Sequence, residues 1–261
     1  MNSLNDRVAL VTGAGGGIGA GIARFLAREG ATLALMGRTR AALEETLATV
    51  SALAAASTVH PGDVSIEADV DRVVNEVVSA HNRVDILVNN AGIVDAAEFL
   101  SATWSGWNSV IATNLSAVFL MTQRVARRMR TTGGGAVVNI ASIDAYGTDG
   151  PQASYTAAKA GVIGLTKAAA TELAPFTIRV NSVSPGWTRT RLVEEFVSPR
   201  ALQHMREGFA RVPLKRMVEI DEIAATVAFL VSPVASGITG VDVPVDCGTL
   251  SNLYIYETLP Q

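Results

Sequence analysis

Thr12-Gly13-Ala14-Gly15-Gly16-Gly17-Ile18-Gly19 (TGAGGGIG) decides how this chain is read, because of what flanks it. Before it, Arg7–Thr12 (RVALVT) is a short apolar run rich in branched residues, the pattern of a buried strand. After it, Ile18–Glu29 carries helical periodicity. A glycine-rich string alone is a flexible loop. Between the first strand and the first helix it becomes a turn that lets a pyrophosphate approach the backbone. Glycines 13, 17 and 19 permit the turn and the approach. The helix start offers free N–H groups and the positive end of its dipole.

Working outward, Thr32–Met36, Val84–Asn89, Ala136–Ala141 and Ile178–Val183 read as further buried strands. Thr58–His60 is a weaker one and Val241–Val245 the last. Helices are expected over Arg40–Ala55, Ile66–Ala80, Asn114–Arg130, Gln152–Ala174 and Asp221–Val231. The alternation predicts an α/β fold: a Rossmann-type, doubly wound parallel sheet of about seven strands with helices on both faces. Residues 1–261 are expected to form a single domain. Residues 189–211 break the alternation and are expected to form one or two helices acting as a substrate lid. Residues 249–261 form a C-terminal extension. Its Leu253, Tyr254, Ile255 and Tyr256 are too apolar for a free tail and are expected to pack at a subunit contact or near a neighbour's pocket.

The bulk numbers narrow the function. Of 261 residues, 49% are hydrophobic and 17% charged, which suits a large core and faces buried in an oligomer. A net charge of -3 gives no global field for nucleic acid or an anionic membrane. No run approaches the roughly twenty apolar residues of a membrane span, and the N-terminus lacks a signal-peptide pattern. Cys247 is the only cysteine, which fits a cytoplasmic location. His60, His81 and His204 are scattered, so no metal site is expected.

The second informative stretch is SYTAAKAG. Tyr155 and Lys159 stand four apart, so on a helix they share a face, about 6 Å apart at Cβ. A phenol with a pKa of about 10 is a poor base at neutral pH, and a neighbouring ammonium lowers that value. Tyr155 could then exchange a proton with an alcohol or alkoxide, with Ser142 bonding the same oxygen. Singly, these residues suit packing, solvation and capping. Behind a dinucleotide loop they form one constellation for carbonyl–alcohol redox chemistry. The second strand ends in Met36-Gly37-Arg38-Thr39-Arg40, with no acid to accept from ribose hydroxyls. Arg38 and Arg40 suit a 2′-phosphate, so NADP is favoured, with NAD the alternative. Asp63 could accept from the adenine amino group or simply make a turn.

With these motifs the chain resembles the short-chain dehydrogenase/reductase family of NAD(P)-dependent oxidoreductases, from about Arg7 to Gly248. The resemblance implies a catalytic tetrad of Asn114, Ser142, Tyr155 and Lys159. Tyr155 would be the acid/base. Lys159 would lower its pKa and bind the nicotinamide ribose. Ser142 would orient the substrate oxygen, and Asn114 would bend its helix and hold a water. Cofactor contacts are implied at Gly13, Gly15, Gly16, Gly17, Ile18, Gly19, Arg38, Asp63 and Val64. They continue at Asn90, Ala91 and Gly92 of the NNAG motif, at Tyr155 and Lys159, and at Pro185, Gly186, Thr188 and Thr190 of PGWTRT. A homotetramer joined by the two long helices and the last strand is also implied. Two positions depart from the pattern: Gly16 stands where a basic residue is common, and Cys247 replaces a glycine.

The substrate pocket is expected from Val94, Asp95, Ile143, Asp144, Tyr146, Trp187, Leu192, Val193 and Phe196. It suits a medium-sized, partly polar small-molecule ketone or alcohol. Asp144 either contacts substrate or makes a turn bond. Arg124, Arg127, Arg128 and Arg130 either complement a helix dipole or dock an acyl carrier protein, which would make the substrate a β-ketoacyl thioester. A non-catalytic NAD(P)-binding scaffold is the rival outside enzymology. An enoyl reductase disagrees with the four-residue Tyr–Lys step.

Overall fold

The computed structural model describes residues 4–190, 193, 197–206, 208–209 and 211–252. Seven parallel strands form one sheet: β1 (Val8–Thr12), β2 (Thr32–Gly37), β3 (Thr58–Pro61), β4 (Ile86–Asn89), β5 (Gly135–Ile140), β6 (Ile178–Pro185) and β7 (Asp242–Val245). Their order is β3-β2-β1-β4-β5-β6-β7. The helices are α1 (Gly17–Arg28), α2 (Arg40–Val50), α3 (Glu67–His81), α4 (Trp104–Ile111), α5 (Ala117–Met129), α6 (Ala153–Leu173), α7 (Pro199–Arg206) and α8 (Ile220–Val231).

Alternation along the strands divides the core in two. Ala9 and Val11 of β1 point to one side, where Ile22 and Leu26 of α1 and Ile223 and Val227 of α8 cover them. Val8 and Leu10 point to the other, under Val70, Val73 and Val77 of α3 and Met121, Val125 and Met129 of α5. Both faces are therefore apolar, which is why the strands read as continuous apolar runs. Chain direction across the sheet reverses between β1 and β4. That switch point opens a crevice beyond the carboxyl ends of the strands, where ligands bind in such sheets.

Two helices differ from the sequence expectation. The helix expected from Asn114 begins ten residues earlier, at Trp104, where the Thr103 side chain caps it by accepting from Gly106 N at 3.0 Å. Of α4 only Val110 is buried, so its apolar stripe is too thin to be read as periodicity. A π-helical turn, Ala112–Ser116, joins α4 to α5 and contains Asn114. The helix expected over Arg40–Ala55 stops at Val50. Ser51 Oγ bonds back to the carbonyls of Leu47 and Ala48 and competes with continuation.

Of the segment expected as a lid, α7 is a helix, while Arg191, Leu192, Glu194–Phe196, Glu207 and Ala210 lie outside the described residues. The extension forms a 3₁₀ turn over Thr249–Ser251, and residues 253–261 lie outside the described residues. Among the described residues no helix is long and apolar enough to cross a membrane, and no three His, Cys, Asp or Glu side chains are grouped to hold a metal.

Candidate active site

The glycine turn leaves β1 and enters α1. Gly13 has φ +64°, a conformation open to glycine at little cost. A Cβ at Gly19 would strike the Gly13 carbonyl and Asn90 Nδ2, so glycine there lets the helix start close against the turn. Asn90 Nδ2 donates to Thr12 O at 3.0 Å and Gly13 O at 3.2 Å. Thr12 Oγ1 accepts from Asn90 N and Ala91 N and donates to Val88 O. The NNAG segment thus fixes the turn from the neighbouring strand. Thr12 and Asn139 were missed in the sequence; the visible signal was a polar residue inside each apolar strand. Asn139 accepts from Asn89 Nδ2 at 2.8 Å and donates to Thr166 Oγ1 at 2.9 Å, tying β4, β5 and α6 together.

These residues fit a dinucleotide. The first turn of α1 carries no acidic side chain and no side-chain cap, and a Cβ on Gly16 would meet nothing within 4 Å. Free N–H groups therefore face open space at the positive end of a helix dipole. A methyl carbon of Thr190 lies 4.0 Å from a Cβ position on Gly17, so the segment after β6 reaches over the turn. Arg38 is exposed at the end of β2, whereas Arg40 pairs with Glu44 at 3.5 Å. Ile18 packs on the core, Val64 is buried, and Gly15 and Gly92 pack against Ala42 and Asn114. Asp63 Oδ1 makes a turn, accepting from Ser65 N and Ser65 Oγ. Gly186, after Pro185, donates its N–H to Val245 O, and Thr188 Oγ1 turns back to Gly186 O.

Asn114 lies in the π-helical turn, while Ser142, Tyr155 and Lys159 meet at the carboxyl end of β5. With β4 between β1 and β5, this is about 10 Å along the sheet from the glycine turn. Lys159 Nζ lies 5.5 Å from the Tyr155 ring centroid, so the four-residue step does put both on one helix face. The Ser142 side chain stands beside the Tyr155 hydroxyl. Asn114 is fully buried and its amide is used twice: Nδ2 donates to Ile93 O at 2.8 Å, and Oδ1 accepts from Ile93 N at 2.9 Å. The expected bend is the π-helical turn, a feature frequent at functional sites.

One electrostatic expectation is corrected. Lys159 does not hold the phenol low in the protein alone. Burial pushes the Tyr155 hydroxyl up to about 12, opposed by neighbouring Ser142. Burial pushes the Lys159 amine down to about 8, and Nζ is spent on Ile140 O at 2.6 Å. Desolvation outweighs the pair interaction because both groups are removed from water while the amine points at a carbonyl.

Of the expected pocket residues, Asp144 adjoins this cluster. Asp144 is buried two residues after Ser142, and Ser142 Oγ donates to its Oδ2 at 3.1 Å. The Trp187 indole lies beside Asp149, a residue that carries none of the sequence motifs. Tyr146 is spent elsewhere: its hydroxyl donates to Asp242 Oδ2 at 2.7 Å. Asp95 lines a hollow with Phe99, Trp104 and Trp107 beside the start of α6. Val94 and Val193 are partly exposed, and Leu192 and Phe196 lie outside the described residues.

Residues 13–249 match the family model described as enoyl-(acyl carrier protein) reductase. Levodione reductase of Leifsonia aquatica is 40% identical over 250 residues, covering 93% of this chain and 94% of that protein. The 3-oxoacyl-(acyl-carrier-protein) reductase of Staphylococcus epidermidis is 41% identical, covering 93% and 98%. The crystal structure of levodione reductase superposes with a TM-score of 0.89 at 38% identity, covering 95% of this chain and 99% of that one. A short-chain type dehydrogenase/reductase from Mycobacterium marinum gives 0.87 at 35%, covering 95% and 97%. With the glycine turn, the Ser–Tyr–Lys cluster and these likenesses in agreement, the chain belongs to the short-chain dehydrogenase/reductase family.

Proposed function

We infer that the protein is an NAD(P)-dependent oxidoreductase that transfers a hydride between nicotinamide and a ketone or secondary alcohol. The observation that carries this is the Ser142–Tyr155–Lys159 cluster, standing about 10 Å along the sheet from an anion-ready glycine turn. When bound, the dinucleotide supplies or accepts the hydride. Tyr155 gives its proton to the substrate oxygen during reduction and takes it back during oxidation. A phenol pushed up to about 12 is fully protonated at neutral pH, the form that reduction needs. Ser142 bonds the same oxygen and fixes the carbon. Lys159, at about 8, can carry charge beneath the phenol near neutral pH. The retained proton-transfer residues weigh against a non-catalytic scaffold.

NADP is the favoured cofactor, supported by exposed Arg38 and the lack of an acid at Gly37. The assembly we propose is a cytoplasmic homotetramer. A β-ketoacyl thioester on an acyl carrier protein is the second substrate reading, favoured by relatives such as the S. epidermidis reductase. The arginines expected to dock the carrier weaken it. Arg124 is held by Asp71 and Glu67 of α3, Arg128 by Asn75, and Arg130 lies over Phe176. Incubation of a ketone panel with NADPH deuterated at the transferable position tests the reaction. Alcohol carrying deuterium at the carbinol carbon, formed faster than with NADH, is expected. Absence of alcohol, or alcohol without label, contradicts the assignment.

A further inference from the structure

Asp144 and Asp149 stand beside Ser142, and among the described residues no basic side chain bonds either of them. Asp144 sits in the 3₁₀ turn Ile143–Ala145, directly after Ser142. Its backbone N–H donates to Ser142 Oγ at 3.1 Å, while Ser142 Oγ–H donates to its Oδ2 at 3.1 Å. The two bonds hold the serine hydroxyl from both ends. On its far side the Asp144 carboxyl faces Asp149, whose charge acts on it. Asp149 is held in turn by Gln152 Nε2 at 2.8 Å, with the Trp187 indole beside it.

We propose that Asp144, backed by Asp149, is a positioning residue that decides whether the Ser142 hydroxyl hydrogen is available to the substrate oxygen. This rests on the proposed reaction at Ser142 and Tyr155. With Asp144 ionised, its carboxylate takes the Ser142 hydrogen, and Ser142 can only accept from the substrate. That suits an alcohol. With Asp144 protonated, its own hydrogen goes to Asp149, and the Ser142 hydrogen is released to donate to a carbonyl. That suits a ketone.

The groups facing Asp144 set where the change falls. Asp149 precedes α6 and adds like charge. Tyr155 and Lys159 face it from α6, and Lys159 is buried and bonded to Ile140 O. From the segment after β6 comes the uncharged indole of Trp187. Asp242 of β7 is engaged by Tyr146, Ser182 and Ser184. Burial, then the Asp149 charge, push Asp144 up to about 6, and the Asp149 carboxyl is itself raised by the protein packed around it. Asp144's charge also raises the Tyr155 hydroxyl. That effect is silent between about pH 5 and 8, because a phenol near 12 stays protonated throughout. Lys159, pushed down to about 8, keeps its charge up to about pH 7, so between about pH 5 and 7 the Asp144 change reaches the site through the serine hydrogen.

The test is the pH profile of ketone reduction from pH 4.5 to 8 for the wild type, Asp144→Asn and Asp149→Asn, with thermal melts as a fold check. The wild type is expected to lose about tenfold in kcat, the worth of one hydrogen bond, as pH rises through about 6, with KM moving less. Asp144→Asn removes the inflection, and Asp149→Asn moves it to lower pH by removing the like charge. An inflection unchanged in either variant, or none in the wild type, overturns the proposal. If Asp144→Asn does not fold, Asp149→Asn decides. Carboxyl-¹³C NMR of aspartate-labelled protein separates this from failure of the reaction. With no ketone reduced at any pH, a resonance titrating near 6 and moved by Asp149→Asn places the fault in the assigned reaction. Titration of every aspartate at its ordinary value overturns the role of Asp144 with or without turnover.

Discussion

Lys159 costs stability to hold as a cation, and it is retained. Its amine is pushed from 10.5 to about 8 by complete burial. Between those values the unfolded chain keeps the proton and the folded chain sheds it. Stability from this group therefore rises with pH across that window, and below about 8 the full penalty applies, on the order of 3 kcal/mol. Lys159→Met is expected to stabilise the protein by about 1–3 kcal/mol at pH 7, the lower end reflecting the donor lost to Ile140 O. The gain should shrink as pH climbs from 8 towards 10.5. Urea denaturation at both ends of the window checks it, and a variant less stable than wild type at pH 7 refutes it. At this scale the sequence was half legible. The spacing of Tyr155 and Lys159 gave the shared helix face. It did not give the direction of the tyrosine shift, because desolvation comes from the elements packed around α6. Asp149 was likewise hidden, since its partners Asp144 and Trp187 meet it only through folding.

Elements were most legible where periodicity was strong. All seven strands fall within a residue or two of the apolar runs that announced them, because strands covered on both faces must be apolar throughout. The helix carrying Asn114 was misjudged because α4 buries only Val110 and its cap, Thr103, lies outside any periodic stretch. Its π-helical turn has no sequence signature. There the Asn114 amide answers both the N–H and the C=O of Ile93, fastening the segment after β4 to the turn. Asn114→Ala leaves both backbone groups short of a partner and is expected to cost about 2–4 kcal/mol. A denaturation midpoint within experimental scatter of wild type would show that the turn does not depend on this amide.

For the whole molecule, the sheet order puts the glycine turn and the Ser–Tyr–Lys cluster at the same end of the sheet, two strands apart. The sequence predicted the number of strands. Their adjacency follows from parallel strands with helical crossovers, which place consecutive strands side by side and reverse direction at β1/β4. The surface is less self-sufficient. Phe99, Leu100 and Trp104 cluster in sequence around the start of α4, and Phe119 stands out from α5; all four are exposed. Faces of this kind mark association surfaces. Light scattering is expected to return the mass of four chains, and Phe119→Glu to lower it. A wild-type monomer at micromolar concentration contradicts the proposed tetramer.

The most direct measurement compares Tyr155→Phe with the wild type in two readings at once, NADPH affinity by fluorescence and turnover of a reducible ketone. Losing one hydroxyl should leave the dissociation constant within about threefold while kcat falls at least about a hundredfold, the contribution of a positioned proton donor. Turnover retained within tenfold of wild type would mean that the proton comes from elsewhere, and the assignment of Tyr155 would be wrong.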